Sequence, residues 1–194
     1  IFKYYVKTHT DGLRTSKSPA AEEFKSVELL VYHILAITGL GRPVHCFGRN
    51  EFDTYIATLD AAHEGEFVTY EKMKGTFPKD DDECCAFLAN NHEYQIIAHE
   101  IARLDLIARV LRLKDLQTNP DNFGFLSAPG KQKQVKVLDF RMVESQQFQW
   151  LVATEGGFNS LMAGNGEYKY TDPFMLAVLR PDGPIDKIAT LTKV

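Results

Sequence analysis

Asn122 and Asp139 are the residues whose types and setting best fit a defined chemistry. Asn122 closes a polar stretch that starts at Asp115, and the apolar Phe123-Gly124-Phe125 follows it. Asp139 ends a second apolar run, Val135-Lys-Val-Leu, and precedes Phe140. An amide oxygen and a carboxylate are hard donors. Mg²⁺ takes such donors, keeps several of its waters and needs few protein groups. A Lys that neutralises phosphate charge and a group that orients the nucleophile would complete what phosphoryl transfer requires.

Elements that can hold these groups are readable from the pattern. Phe2–Thr8 is rich in β-formers and partly alternates, which predicts a strand. Asp11–Pro19 is polar and reads as a loop. Ala20–Thr38 predicts a helix, with Phe24, Val27, Val31, Ile34 and Leu35 at helical spacing and Gly39 and Gly41 ending it. Glu28 falls on the same face as Phe24, Val31 and Leu35, and a charge on an apolar face needs a partner; Lys7 would supply one. Val44–Phe47 and Phe52–Leu59 read as strands around a turn at Gly48, Arg49 and Asn50, and Phe67–Met73 as a further strand. Lys79–Glu83 reads as a solvated helix start. Ile97, Ile101, Leu104, Ile107, Val110 and Leu111 mark the strongest helical stripe, running to about Lys114. Gly130–Gln134 reads as a hairpin tip, and Val135–Phe140 as the strand after it. Strands first and helices later predict an α+β order.

With those elements in place, Asp115–Phe140 resembles the catalytic and metal-binding loops of atypical kinases, the phosphatidylinositol-kinase and HipA-type branch. Kinase-like secreted effectors of intracellular bacteria show similar Asn-x-Gly loops followed by a strand ending Asp-Phe. The resemblance spans roughly residues 1–145 and is specific in the two loops. It implies a two-lobed, protein-kinase-like α+β fold. Residues 1–75 would form an N-lobe β-sheet with one helix, and 76–194 a mainly helical C-lobe. It implies ATP with Mg²⁺ or Mn²⁺ held by Asn122 and Asp139, with Lys7 on the phosphates and Glu28 positioning Lys7. Lys3, on the same strand face, is the alternative to Lys7. The nucleotide hinge falls near Leu59-Asp60 or near Glu71–Met73.

Two departures from that family are visible. A glycine-rich phosphate loop would precede residue 1. The family's catalytic Asp usually stands five positions before the Asn, where this chain has Gln117. Either Asp115 reaches the site as base through a longer loop, or the base is absent. The implied activities are therefore phosphoryl transfer to a protein or phosphoinositide acceptor, a pseudokinase that binds nucleotide or acts as a scaffold, or adenylyl or glutamyl transfer. The implied compartment is the cytoplasm, or a host cytosol for an effector.

Composition sets the outer bounds. The chain has 194 residues, 44% hydrophobic and 25% charged, enough for one domain with a real core. A net charge of -4 without a basic stripe argues against nucleic acid as partner. No apolar run is long enough to span a bilayer, and no signal peptide is evident. The chain starts Ile1-Phe2-Lys3 and reads as a piece of a longer protein. Three cysteines, two of them adjacent, fit a reducing compartment. His92 and His99 do not make a zinc motif, Cys84-Cys85 lacks zinc spacing, and Gly39-Leu-Gly41 lacks the third glycine of a dinucleotide fingerprint. No Gly-x-Ser-x-Gly elbow is present. Phe148, Trp150 and Phe158 read as core.

Overall fold

Aromatic and β-branched residues make Tyr4–Thr8 a strand (β1), and it pairs antiparallel with Thr54–Leu59 (β3). Val44–Gly48 (β2) flanks β3 on its other side, giving a sheet of order β1-β3-β2. In the computed structural model, residues 2–8, 26–48, 54–142, 170–180 and 183 are described. The expected 11–19 loop, the start of the first helix at 20–25, Arg49 and Asn50 of the turn, and Phe148, Trp150 and Phe158 lie outside the described residues.

Ser26–Ile37 (α1) packs Val31, Tyr32 and Leu35 inward. Val27 is 54% exposed, so the buried face is narrower than the apolar spacing predicts. Gly39, at φ +74°, turns the chain out of the helix, a conformation that suits a residue without Cβ. The last carbonyls of this helix end have specific partners. Arg103 Nη2 donates to Thr38 O at 2.6 Å, the Lys136 ammonium donates to Gly39 O, and Val137 N–H donates to Leu40 O at 2.7 Å.

The stretch 67–73 departs from its expected strand. Glu66–Thr69 (β4) is extended, but Tyr70–Lys74 is helical (α2). Glu71 and Lys74 bridge across one turn, acidic early and basic late, as helices favour. β4 joins Phe123–Ser127 (β6) rather than the first sheet, and Gln134–Val137 (β7) completes the order β4-β6-β7. This second sheet thus draws strands from both sides of residue 75, and residues before it carry α2 as well as α1.

Asp81–Asn90 (α3) starts where the charged patch predicts, with Asp80 accepting from Asp82 N–H at 3.0 Å and Glu83 N–H at 3.1 Å. His92–Val110 (α4) is the long helix and buries Ile97, Ile101 and Leu104, each worth roughly 1.5–3 kcal/mol of hydrophobic stabilisation. It ends at Val110, short of the expected Lys114. Arg112 takes φ +61°, and Leu113–Lys114 (β5) pairs with Arg141–Met142 (β8) instead. The 135–140 run is also shortened. β7 stops at Val137 because Leu138 and Asp139 give their N–H groups to Asn122 O, at 2.7 and 3.3 Å. Pro173–Leu179 (α5) buries Phe174, Met175, Ala177 and Val178 against α3 and α4. The described residues form an α+β structure of three small antiparallel sheets and five α-helices. No helix among them is long and apolar enough to cross a membrane.

Backbone crowding makes Gly124 a sensitive point. A Cβ there would meet Val68 O at 2.3 Å and Thr69 Cα at 2.7 Å, both on the paired strand. Gly124→Ala should therefore cost about 1–3 kcal/mol in urea unfolding. A change below about 0.5 kcal/mol would show that β4 and β6 do not approach this closely.

Candidate functional site

A cleft of about 260 Å³ opens beside the first sheet. β1 supplies Tyr5 and Val6 to its wall, α1 supplies Tyr32, and β3 supplies Ile56, Thr58 and Leu59. Arg42, Asp60, Ala61 and Phe67 continue the wall, and Val137, Leu138 and Asp139 close it. Most of these side chains are apolar with a few charged groups among them, the usual make-up of a small-molecule site.

Asp139 is exposed at the mouth of this cleft. Its Oδ1 accepts from Tyr32 Oη at 3.2 Å and from Phe140 N–H at 2.9 Å. The Phe140 ring is buried and lies 4.6 Å from the Tyr32 ring, so α1 fixes both the carboxylate and the residue after it. Asn122 ends a 3-10 turn, Pro120–Asn122, whose Pro suits a first turn. Its Nδ2 donates to Asp115 O at 3.1 Å, and its Oδ1 accepts from Asn119 Nδ2 at 3.1 Å. The backbone joins the two loops directly, since Asn122 O receives both Leu138 N–H and Asp139 N–H. Asp139 lines the cleft and Asn122 is not among its lining residues; each has an oxygen of the hard kind that Mg²⁺ takes, and the link between them is the Asn122 backbone carbonyl.

The other expected residues fall out differently. Lys7 sits in β1 opposite Ile56, and its side chain lies outside the described residues, as does any pair it makes with Glu28. Glu28 is half-buried on α1 and is engaged. Lys3, the alternative, is held by Asp60 instead. Its Nζ lies 3.4 Å from Asp60 Oδ2 and 5.3 Å from the centre of the Tyr5 ring. The Asp60 contact, with help from Tyr5, raises the ammonium above its ordinary range.

Asp115, the candidate base, adopts φ +74°. Its Oδ1 accepts from Thr118 Oγ1 at 3.0 Å and its Oδ2 lies 3.4 Å from Arg141 Nε. Both oxygens already have protein partners. Gln117 lines a second cavity of about 360 Å³, with Tyr70, Tyr170 and Asp172. Tyr70 donates to Asp172 at 2.5 Å, and burial first, then Asp172, pushes its hydroxyl far up.

Two residues of the cleft carry no signal in the sequence. Tyr32 lies on the buried face of α1 but reads as one more core aromatic. Arg42, a single Arg between Gly41 and Pro43, is 5% exposed, with Nη1 3.4 Å from Glu64 Oε1. That contact holds the Glu64 carboxyl below its usual range. Among the described residues, Asp80, Asp81 and Asp82 are the one group of three or more His, Cys, Asp or Glu with converging ligand atoms. Capping explains Asp80, and Asp82 faces Arg180 at 3.2 Å.

The chain matches no protein-family model, no curated protein and no solved structure.

Cysteine nucleophiles are an alternative chemistry that the structure disfavours at Cys84. Burial, followed by the nearby Asp172, pushes this thiol up to about 11. Its Sγ is directed at Pro78 O, 3.3 Å away. At pH 8 its thiolate fraction is roughly a hundredfold below that of an ordinary exposed thiol. Alkylation followed by mass spectrometry should label the exposed Cys46 first and Cys84 only on unfolding. Fast labelling of Cys84 in the folded protein would refute its burial.

Proposed function

We propose that this chain is a two-lobed, kinase-like domain that transfers a phosphoryl group from a Mg²⁺-bound nucleoside triphosphate, ATP by the resemblance, to a protein or phosphoinositide. The observation that carries this reading is the joint between the two loops. The Asn122 backbone carbonyl takes the N–H groups of Leu138 and Asp139, so the loop that carries the amide is tied to the loop that brings the Asp139 carboxylate to the cleft. In this reading the first sheet and α1 make the smaller lobe, and α3, α4 and α5 the larger. Leu59–Ala61 is then the hinge that meets the base, because those residues line the cleft and Glu71–Met73 do not.

Asn122 and Asp139 would hold Mg²⁺, which neutralises the charge that develops on the transferred phosphoryl group. Tyr32 and Phe140 N–H keep the Asp139 carboxylate turned toward the cleft. Lys7 would hold the phosphates, and Glu28 would position it. Apolar walls at Ile56, Leu59 and Val137 would take the base.

A second reading is favoured by the base position. Gln117 cannot take a proton, and the Asp115 carboxylate is engaged by Thr118 and Arg141. Nucleotide binding without turnover, as in a pseudokinase scaffold, then follows from the same cleft. Adenylyl or glutamyl transfer would use the same metal pair.

Thermal unfolding separates binding from its absence. A ligand at a hundred times Kd adds about 2.7 kcal/mol of stability. At about 2–4 °C per kcal/mol that is a rise of roughly 5–11 °C. Nucleoside triphosphate with Mg²⁺ or Mn²⁺ should give such a rise, and Asp139→Ala should remove most of it. No rise with any nucleotide sinks the reading. Single-turnover labelling then assigns the chemistry. Transfer of a γ-phosphate label supports a kinase and of an α-phosphate label an adenylyl transferase, while binding without either supports the scaffold.

A further inference from the structure

Arg42 is a buried charge to which the reading above gives no role. Its side chain is 5% exposed, and Nη1 faces Glu64 Oε1. Nε and Nη2 are buried and make no hydrogen bond. Those two nitrogens form one edge of the guanidinium, the side-on fork that binds paired acceptors. A guanidinium stays charged in proteins, so an unpaired buried edge costs free energy that a ligand's acceptors would recover.

Strand register fixes where Arg42 lies, and Arg42 is among the residues that line the cleft. Val44 is opposite Thr58, and Leu59 N–H donates to Pro43 O at 3.0 Å. Arg42 therefore comes beside Asp60, at the end of β3 where the cleft meets the proposed hinge. The hinge backbone has already used several of its groups. Asp60 N–H donates to Lys3 O at 2.9 Å, and Asp60 O accepts from His63 N–H at 3.1 Å. Ala62 N–H donates to Asp60 Oδ1 at 3.0 Å. Adenine presents an amino donor beside N7, whereas a 6-oxopurine presents O6 and N7, two acceptors side by side. A guanidinium edge matches the second arrangement and opposes the amino group of the first.

We propose that Arg42 reads the base of the nucleotide and turns the cleft toward 6-oxopurines, guanine and hypoxanthine, over adenine. This selection presupposes the nucleotide binding set out above and changes only the base. Arg42 keeps Glu64 on Nη1 and offers Nε and Nη2 to O6 and N7.

Titration calorimetry of the 194-residue chain with GTP, ITP and ATP, each with Mg²⁺, tests it. GTP and ITP should bind about tenfold to a hundredfold more tightly than ATP. ITP lacks the 2-amino group, so its keeping pace with GTP assigns the preference to the O6 and N7 edge. Arg42→Met should remove the difference between the three. If ATP binds as tightly as GTP or more so, base selection by Arg42 is wrong while nucleotide binding stands. If none of the three binds, both fall. Should the Arg42→Met chain fail to fold, the unsubstituted protein still decides the matter through the three nucleotides.

Discussion

The C-terminal turn of α1 is the joint on which the cleft depends. The carbonyls of the turn after a helix need partners of their own, and cations near a helix C-terminus are favoured by its dipole. Here Arg103 from α4 takes Thr38 O, Lys136 from β7 takes Gly39 O, and the β7 backbone takes Leu40 O. Glu100 completes the joint, binding Arg103 Nη1 at 2.9 Å and Val135 N–H at 2.9 Å. Two elements far apart in sequence are thereby locked to the end of one helix. Tyr32 sits on that helix and Asp139 lies just past that strand, so their hydrogen bond is a consequence of the joint.

Burying this much positive charge has a cost. Lys136 is 6% exposed, and burial first, then Arg42 and Arg103, lowers its ammonium below the ordinary range. The Gly39 carbonyl and the carboxylate of Glu100 offset that cost. Deeper in the core, Asp105 and Arg109 pair at 2.8 Å on α4, and Tyr170 donates to the other Asp105 oxygen at 2.8 Å. A buried pair of this kind adds little net stability over an apolar one, yet removing one partner strands the other. Both clusters therefore fix geometry more than they add free energy.

The same balance decides what the sequence discloses. Local pattern places β1, β2, β3, α1 and α4 through the apolar spacing of their own residues, and the charged patch at 79–83 marks the start of α3. It fails where long-range pairing wins. Tyr70–Lys74 has the composition of a short helix but sits against Phe67 and Val68, whose extended pattern is the stronger local signal. The end of α4 is set by the pairing of β5 with β8, which no window around Leu113 contains. The order helix, polar loop, hairpin, carboxylate that singles out Asn122 and Asp139 is a linear pattern. Tyr32 and Arg42 stand in no such pattern, since their meaning comes from what folding brings opposite them. The side chain of Lys7 lies outside the described residues, so its part in the site rests on the strand alone.

Asp115 shows how the two loops support one another. A non-glycine residue at φ +74° stores strain, of order 1–3 kcal/mol, that neighbours must hold in place. Arg141 and Thr118 take its carboxylate, and Asn122 Nδ2 takes its carbonyl. Arg141 comes two residues after Asp139, so the loop that presents one acid also engages the other. The backbone of Asp115 in turn orients the Asn122 amide. The candidate base is thus tied into the support of the Asn122 loop. Mutual support of this kind holds the Asp115 and Asn122 loop against the strand end that carries Asp139. In the proposed reading, the same bonds that steady the loop also occupy the carboxylate that would have to take a proton.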